Sequence, residues 1–267
     1  MSDTTSQQDA PRSEQPTTPE PGMRPWQRFC GELLGTFLLV LCHAGAATAA
    51  RLLLHDAGAP KLSAEVAFLA LADGFSLFVI IMIVGRISGV LINPAITLGL
   101  ASAGRFPRNE VWYYIVAEMI GAVLGALLVL GLYGHDAVSV ARLGAVMPGP
   151  HFSIWQAALA EGVGAFLLVL TISATAEDPR APSGWAGLAI GLALGAIVFF
   201  AEPISGAAVN PARAFGPDLL DALLGARVDW GAYLLAYALA PILGAIAAAQ
   251  LYGPLARQPT AKPAPEE

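Results

Sequence analysis

The chain has 267 residues, 56% of them hydrophobic and only 13% charged, with a formal net charge of −6 at pH 7. That balance falls outside the range of a water-soluble domain, so lipid must solvate most of the chain. The acidic excess sits largely in tails and loops and excludes a nucleic-acid footprint. The two cysteines, Cys30 and Cys42, are too far apart along one helical segment to bridge, which excludes a disulfide framework and a metal cluster.

Residues 1–25 carry Pro11, Pro16, Pro19 and Pro21 among Ser, Thr and Gln, and residues 254–267 repeat that composition. Neither stretch buries enough apolar area to fold, so both are expected to be disordered tails around a membrane-embedded domain at 26–253. Within that domain, runs needing ~20 apolar residues per crossing occur at about 27–50, 64–84, 111–133, 153–176, 184–201 and 231–252. The first run follows a polar tail and is too long for a signal-peptide core, so it reads as a crossing. Six crossings put both termini on one side. Arg24, Arg28, Arg86, Arg105, Arg108, Arg180, Arg257 and Lys262 fall near that face, against Arg51, Lys61, Arg142 and Arg227 on the other, which favours cytoplasmic termini in a plasma membrane.

The chain is a duplication, with one repeat at about 26–134 and another at about 152–253. Glu32-Leu-Leu-Gly35-Thr-Phe37-Leu-Leu-Val-Leu41 is echoed by Glu161-Gly-Val-Gly164-Ala-Phe166-Leu-Leu-Val-Leu170, an offset of 161 − 32 = 129. Leu132-Tyr133-Gly134 recurs as Leu251-Tyr252-Gly253, an offset of 119. Each repeat holds three crossings, so the second must enter the membrane from the opposite side, the logic of an inverted repeat.

Each repeat also carries an Ile-Ser-Gly followed by an Asn-Pro-Ala. Ile87-Ser88-Gly89 precedes Asn93-Pro94-Ala95, and Ile204-Ser205-Gly206 precedes Asn210-Pro211-Ala212, at an offset of 210 − 93 = 117. Asn is a favoured helix N-cap and Pro a favoured first helical residue, so each triplet opens a helix. The apolar stretches that follow, about 93–103 and 210–220, are ~10 residues or ~15 Å long, half of a ~30 Å hydrocarbon core. They cannot span. They are expected as re-entrant half-helices whose irregular lead-in, such as 88–92, is buried in protein or lines a wet cavity. Glycines at every fourth position, Gly187, Gly191 and Gly195, and Gly121 with Gly125, suit the close packing this requires. The fold class is therefore an all-α membrane protein of six transmembrane helices and two half-helices.

Two half-helices meeting end to end aim two positive dipole ends and several unpaired N–H groups at one place. Cations are repelled there, while the Asn93 and Asn210 amides offer hydrogen bonds to the oxygen of a neutral solute. With the doubled triplet and an Arg directly after the second, Asn210-Pro211-Ala212-Arg213, the chain resembles the aquaporins, or major intrinsic proteins, over about residues 27–253. The resemblance implies a right-handed six-helix bundle, passive diffusion of water and small neutral solutes through each protomer, no cofactor, no enzymatic activity and a homotetramer in the bilayer. It matches Glu32 and Glu161 to buried acids that accept hydrogen bonds from the loop leading into each half-helix. It places Arg213 in the outer constriction with Asp73, Val198 and Ala207, which lie 20 before Asn93, 12 before Asn210 and 3 before Asn210.

These positions depart from the family's patterns. Water-specific members resemble one another in an aromatic at the first and His at the second, whereas glycerol facilitators have aromatics; neither stands here. The constriction is expected to be wider than a water-only filter, suiting the glycerol, urea or metalloid-hydroxide class, with a salt bridge from Asp73 to Arg213. Ala214 stands where glycerol facilitators have Asp, Glu118 where Gln is frequent and Leu91 where many members have His. His43, beside Cys42, reads as a packed helix histidine. A rival reading is an ion-coupled secondary transporter, since broken helices in inverted repeats also describe carriers. No acid pair accompanies the half-helices to bind the coupling ion. An intramembrane enzyme would need a nucleophile and base at one depth, and Asp73 has no evident second acid.

Overall fold

The computed structural model describes residues 19–57 and 61–256. In chain order the helices of nine or more residues are α1 (Pro25–Ala57), α2 (Lys61–Ser88), α3 (Pro94–Ser102), α4 (Val111–Tyr133), α5 (Ile154–Glu177), α6 (Ala186–Ser205), α7 (Pro211–Leu223) and α8 (Trp230–Ala256). Among the described residues there is no strand, and six of these helices are long and apolar enough to cross a membrane. The other two, α3 and α7, have 9 and 13 residues, or ~14 and ~20 Å at 1.5 Å per residue, and stop short of a span.

Packing follows the duplication. In the first repeat α1 lies against α2 and α4, and in the second α5 lies against α6 and α8, while α2 and α6 join the repeats. The half-helices cross over: α3 packs on α8 and α7 on α4, each on the last helix of the other repeat. Such contacts leave no room for side chains. A Cβ on Gly216 of α7 would stand 2.5 Å from the backbone of Ala122 in α4, and one on Gly191 of α6 would stand 2.5 Å from the carbonyl oxygen of Gly74 in α2. Outward faces are apolar: Phe75, Met82, Trp112, Leu159 and Leu192 are all exposed, which only lipid makes tolerable across so many helices.

The segment joining the repeats is pinned over α7. Arg142 gives its Nε proton to Asp221 at 2.9 Å, Val146 gives its backbone N–H to Asp218 at 3.3 Å, and Arg51 of α1 donates to the Ala141 carbonyl at 2.8 Å.

The expected tails lie mostly outside the described residues, but their inner edges differ from expectation. Glu20 already donates its N–H to the Arg86 carbonyl at 2.8 Å, with a 3.5 Å ion pair between the two side chains. A polar tail can order when a neighbouring helix end offers free carbonyls and a cation. At the other end α8 continues to Ala256, three residues past the expected boundary, through Pro254.

Candidate functional site

The lead-ins to α3 and α7 share one unusual backbone. Gly89, Val90 and Ile92 have φ of 88°, 51° and 43°, and Gly206, Ala207 and Val209 have 82°, 43° and 42°. Left-handed β-branched residues are strained, each at a cost of about 1–3 kcal/mol, and persist only where the surroundings over-determine them. Here two carboxylates do so. Glu32 accepts the N–H of Leu91 at 3.1 Å and of Ile92 at 2.5 Å, and Glu161 accepts those of Ala208 at 2.9 Å and Val209 at 2.5 Å. Both acids are completely buried. A buried carboxylate is tolerable because consecutive backbone donors stand in for its lost water.

The start of each lead-in is held by a tyrosine. Tyr114 donates to the Ser88 carbonyl at 2.7 Å and Tyr237 to the Ser205 carbonyl at 2.8 Å. Tyr237 lies in a π-helical stretch of α8, Tyr233–Leu239, which turns both Tyr233 and Tyr237 inward. Sequence reasoning missed both anchoring tyrosines: Tyr237 depends on a π turn that nothing in the chain's pattern signals, and Tyr114 on a contact 26 residues away.

Asn93 and Asn210 cap their helices as expected. Asn93 Oδ1 accepts the Ala95 N–H at 2.9 Å, and Asn210 Oδ1 accepts those of Ala212 at 2.9 Å and Arg213 at 3.2 Å. Their amide nitrogens then cross the repeats: Asn93 Nδ2 donates to the Val209 carbonyl at 2.9 Å and Asn210 Nδ2 to the Ile92 carbonyl at 2.8 Å. Two half-helix starts are thereby tied to each other, and each amide keeps a second N–H beyond this bond. Both asparagines line one cavity of about 410 Å³, which reaches from Met23 and Arg105 at the terminal end to His43, Asp73 and Arg213 at the other.

At that far end the structure gathers three of the expected constriction residues, Asp73, Ala207 and Arg213, on the cavity wall. Val198 is not among the lining residues; it is completely buried, and Leu194 of the preceding turn lines the cavity instead. The expected Asp73 to Arg213 salt bridge is replaced by a relay through His43. Asp73 holds His43 Nδ1 with both oxygens, at 3.0 and 2.9 Å, while His43 Nε2 faces Arg213 Nη2. Arginine can only donate, so Nε2 must accept and the imidazole proton must sit on Nδ1, facing the carboxylate. All three side chains are buried. Arg213 Nη2 also donates to the Gly206 carbonyl at 3.3 Å, and its Nη1 has no protein partner among the described residues. His43, read from sequence as a packed helix histidine, is thus part of this site. No local signal reveals it, since its partners lie 30 and 170 residues away.

Glu118 of α4 is completely buried and accepts the Thr97 hydroxyl proton at 2.7 Å, next to Glu32. No group of three or more metal-ligating side chains occurs among the described residues.

Comparison with known proteins agrees with this architecture. The family model described as major intrinsic protein matches residues 17–252. A probable aquaporin AqpM of Archaeoglobus fulgidus is 44% identical over 87% of this chain and 98% of that protein, and an aquaporin Z of Rhodopseudomonas palustris is 34% identical over 87% and 95%. The X-ray structure of the aquaglyceroporin from Plasmodium falciparum superposes with a TM-score of 0.76 at 25% identity, covering 86% of this chain and 96% of that one. The chain is therefore a member of the major intrinsic protein family, a multi-pass integral membrane protein of the aquaporin channel type and not an enzyme.

Proposed function

We propose that this protein is a passive pore for water and small uncharged solutes of the polyol, amide or metalloid-hydroxide class, and that it excludes protons and ions. The observation that carries the reading is the pair of crossed asparagines. Two helix N-termini with their positive dipole ends abut across one cavity, each keeping an amide N–H for a solute oxygen. Arg213, on the cavity wall, supplies a fixed positive charge against cations.

In this reading Asp73, Ala207 and Arg213 line the constriction, with Val198 behind it. Ala207 is small, and no aromatic stands at position 73 and no His at position 198, which supports a passage wider than a water-only filter. Asn93, Pro94, Ala95, Asn210, Pro211 and Ala212 make the central junction, and Glu32 and Glu161 keep its backbone in place. The working assembly is a homotetramer, each protomer with its own pore, in a plasma membrane with the termini in the cytoplasm.

Stopped-flow light scattering on proteoliposomes tests this. Water, glycerol and urea are expected to equilibrate faster than in protein-free vesicles, without saturation and without an ion gradient. Uptake that collapses when the gradient is removed would establish an ion-coupled carrier instead.

A further inference from the structure

The two ends of the cavity are related by the duplication, and residue by residue they differ in chemistry. Arg213 corresponds to Ile96 (213 − 117), Asp73 to Ile190 (73 + 117) and His43 to Ile172 (43 + 129). All six line the cavity. One end therefore presents His, Asp and Arg where the other presents three isoleucines, so the polar set has the character of a unit in which each member needs the other two. A lone Asp or His at this depth would be costly to bury; joined to Arg213 through the imidazole, Asp73 and both nitrogens of His43 have partners.

The same unit answers how the passage is sized. Ala207 is small and Val198 is set back, so on this side the wall is made by Leu194 of α6 and the lead-in to α7. His43 enters from α1, in line with Leu39 one turn earlier, which also lines the cavity. Its two nitrogens are both committed, to Asp73 and to Arg213, so the ring meets the lumen as a fixed wall of C–H groups and not as a solute ligand. Asp73, with both oxygens on Nδ1, serves to orient that ring. Arg213 Nη1, buried at this level, has no protein partner among the described residues.

We infer that His43 is a specificity-determining residue of the pore: held between Asp73 and Arg213, its imidazole sets the upper size limit for solutes and fixes the guanidinium that faces them. The inference rests on the channel reading above and adds to the constriction a member from the first helix.

The test uses purified full-length protein in proteoliposomes, with water, glycerol and the four-carbon polyol erythritol as probes. His43→Ala is expected to raise the glycerol-to-water and erythritol-to-water permeability ratios by about fivefold or more, because pore diameter at the narrowest point governs which solutes pass. His43→Gln, whose amide can donate to Asp73 and accept from Arg213 as the imidazole does, is expected to keep both ratios within about twofold of the original. A residue that only packs would not show this rescue. Should the alanine protein fail to reconstitute, His43→Asn supplies the same comparison, being shorter yet still bearing a donor and an acceptor. Wild-type vesicles no more permeable than empty ones overturn the channel reading and this inference with it. A conducting wild type whose ratios stay unchanged in the shortened variants overturns this inference alone.

Discussion

The two lead-ins have nearly one backbone and very unlike chemistry. Both run through the same left-handed angles, both hang from a glutamate and both are anchored by a tyrosine at the serine carbonyl. Yet Tyr114 and Tyr237 are not equivalent residues: Tyr114 corresponds to Tyr233 (114 + 119), while Tyr237 corresponds to Glu118 (118 + 119). The first repeat fills that position with a second buried acid, whose Oε1 accepts the Thr97 hydroxyl proton, where the second repeat has Ala214 (97 + 117) and needs no such partner. Geometry is thus what the repeats share, and any side chain that preserves it serves.

Removing a carboxylate from either lead-in is the strongest way to break this likeness. Glu161→Ala strips partners from two backbone N–H groups and the Ser205 hydroxyl, and is expected to cost about 3–5 kcal/mol. Glu32→Ala should cost measurably less, since it also takes a second acid away from Glu118. Thermal unfolding of the two variants in detergent checks the order, and an equal or reversed order would mean that the acids beside each other in the first repeat do not oppose one another.

A smaller effect is expected from making the cavity's two ends alike at a single position. Arg213→Ile copies the residue found at Ile96 and deprives His43 of its cationic partner. Loss of the fixed charge should raise proton or monovalent cation leak by about tenfold or more while water flow persists. Vesicles loaded with a pH-sensitive dye report this directly; an unaltered leak would place the electrostatic barrier wholly at the half-helix dipoles.

The mildest change brings the two repeats closer in charge. Glu118→Gln retains an acceptor for Thr97 and removes an acid from beside Glu32, so it is expected to leave water permeability unchanged and to stabilise by about 1 kcal/mol or less. A large destabilisation would show instead that Glu118 bears a charge the junction requires.

Much of this was legible in the chain. Length of apolar runs gave six crossings, and the shortness of two more stretches gave half-helices, because a bilayer of fixed thickness turns residue counts into topology. The asparagine caps and the buried acids could be read because duplication displays each of them twice. What stayed hidden were features present once or made only by helix crossing. His43 has no echo in the second repeat, and its relay depends on α1, α2 and α7 converging on one point. Glu202, whose buried Oε2 has no partner among the described residues, lies beside this group and was invisible for the same reason. The Tyr237 anchor depends on a π stretch that hydrophobic spacing cannot register.

The exchanged asparagine bonds, Asn93 to Val209 and Asn210 to Ile92, bear on how such a chain is made. During synthesis the amino-terminal half emerges with its short helix lacking the docking surface on α8 and the carbonyl that will receive its amide. The junction, and the cavity wall to which both halves contribute, can therefore be completed only once the carboxy-terminal half has been inserted.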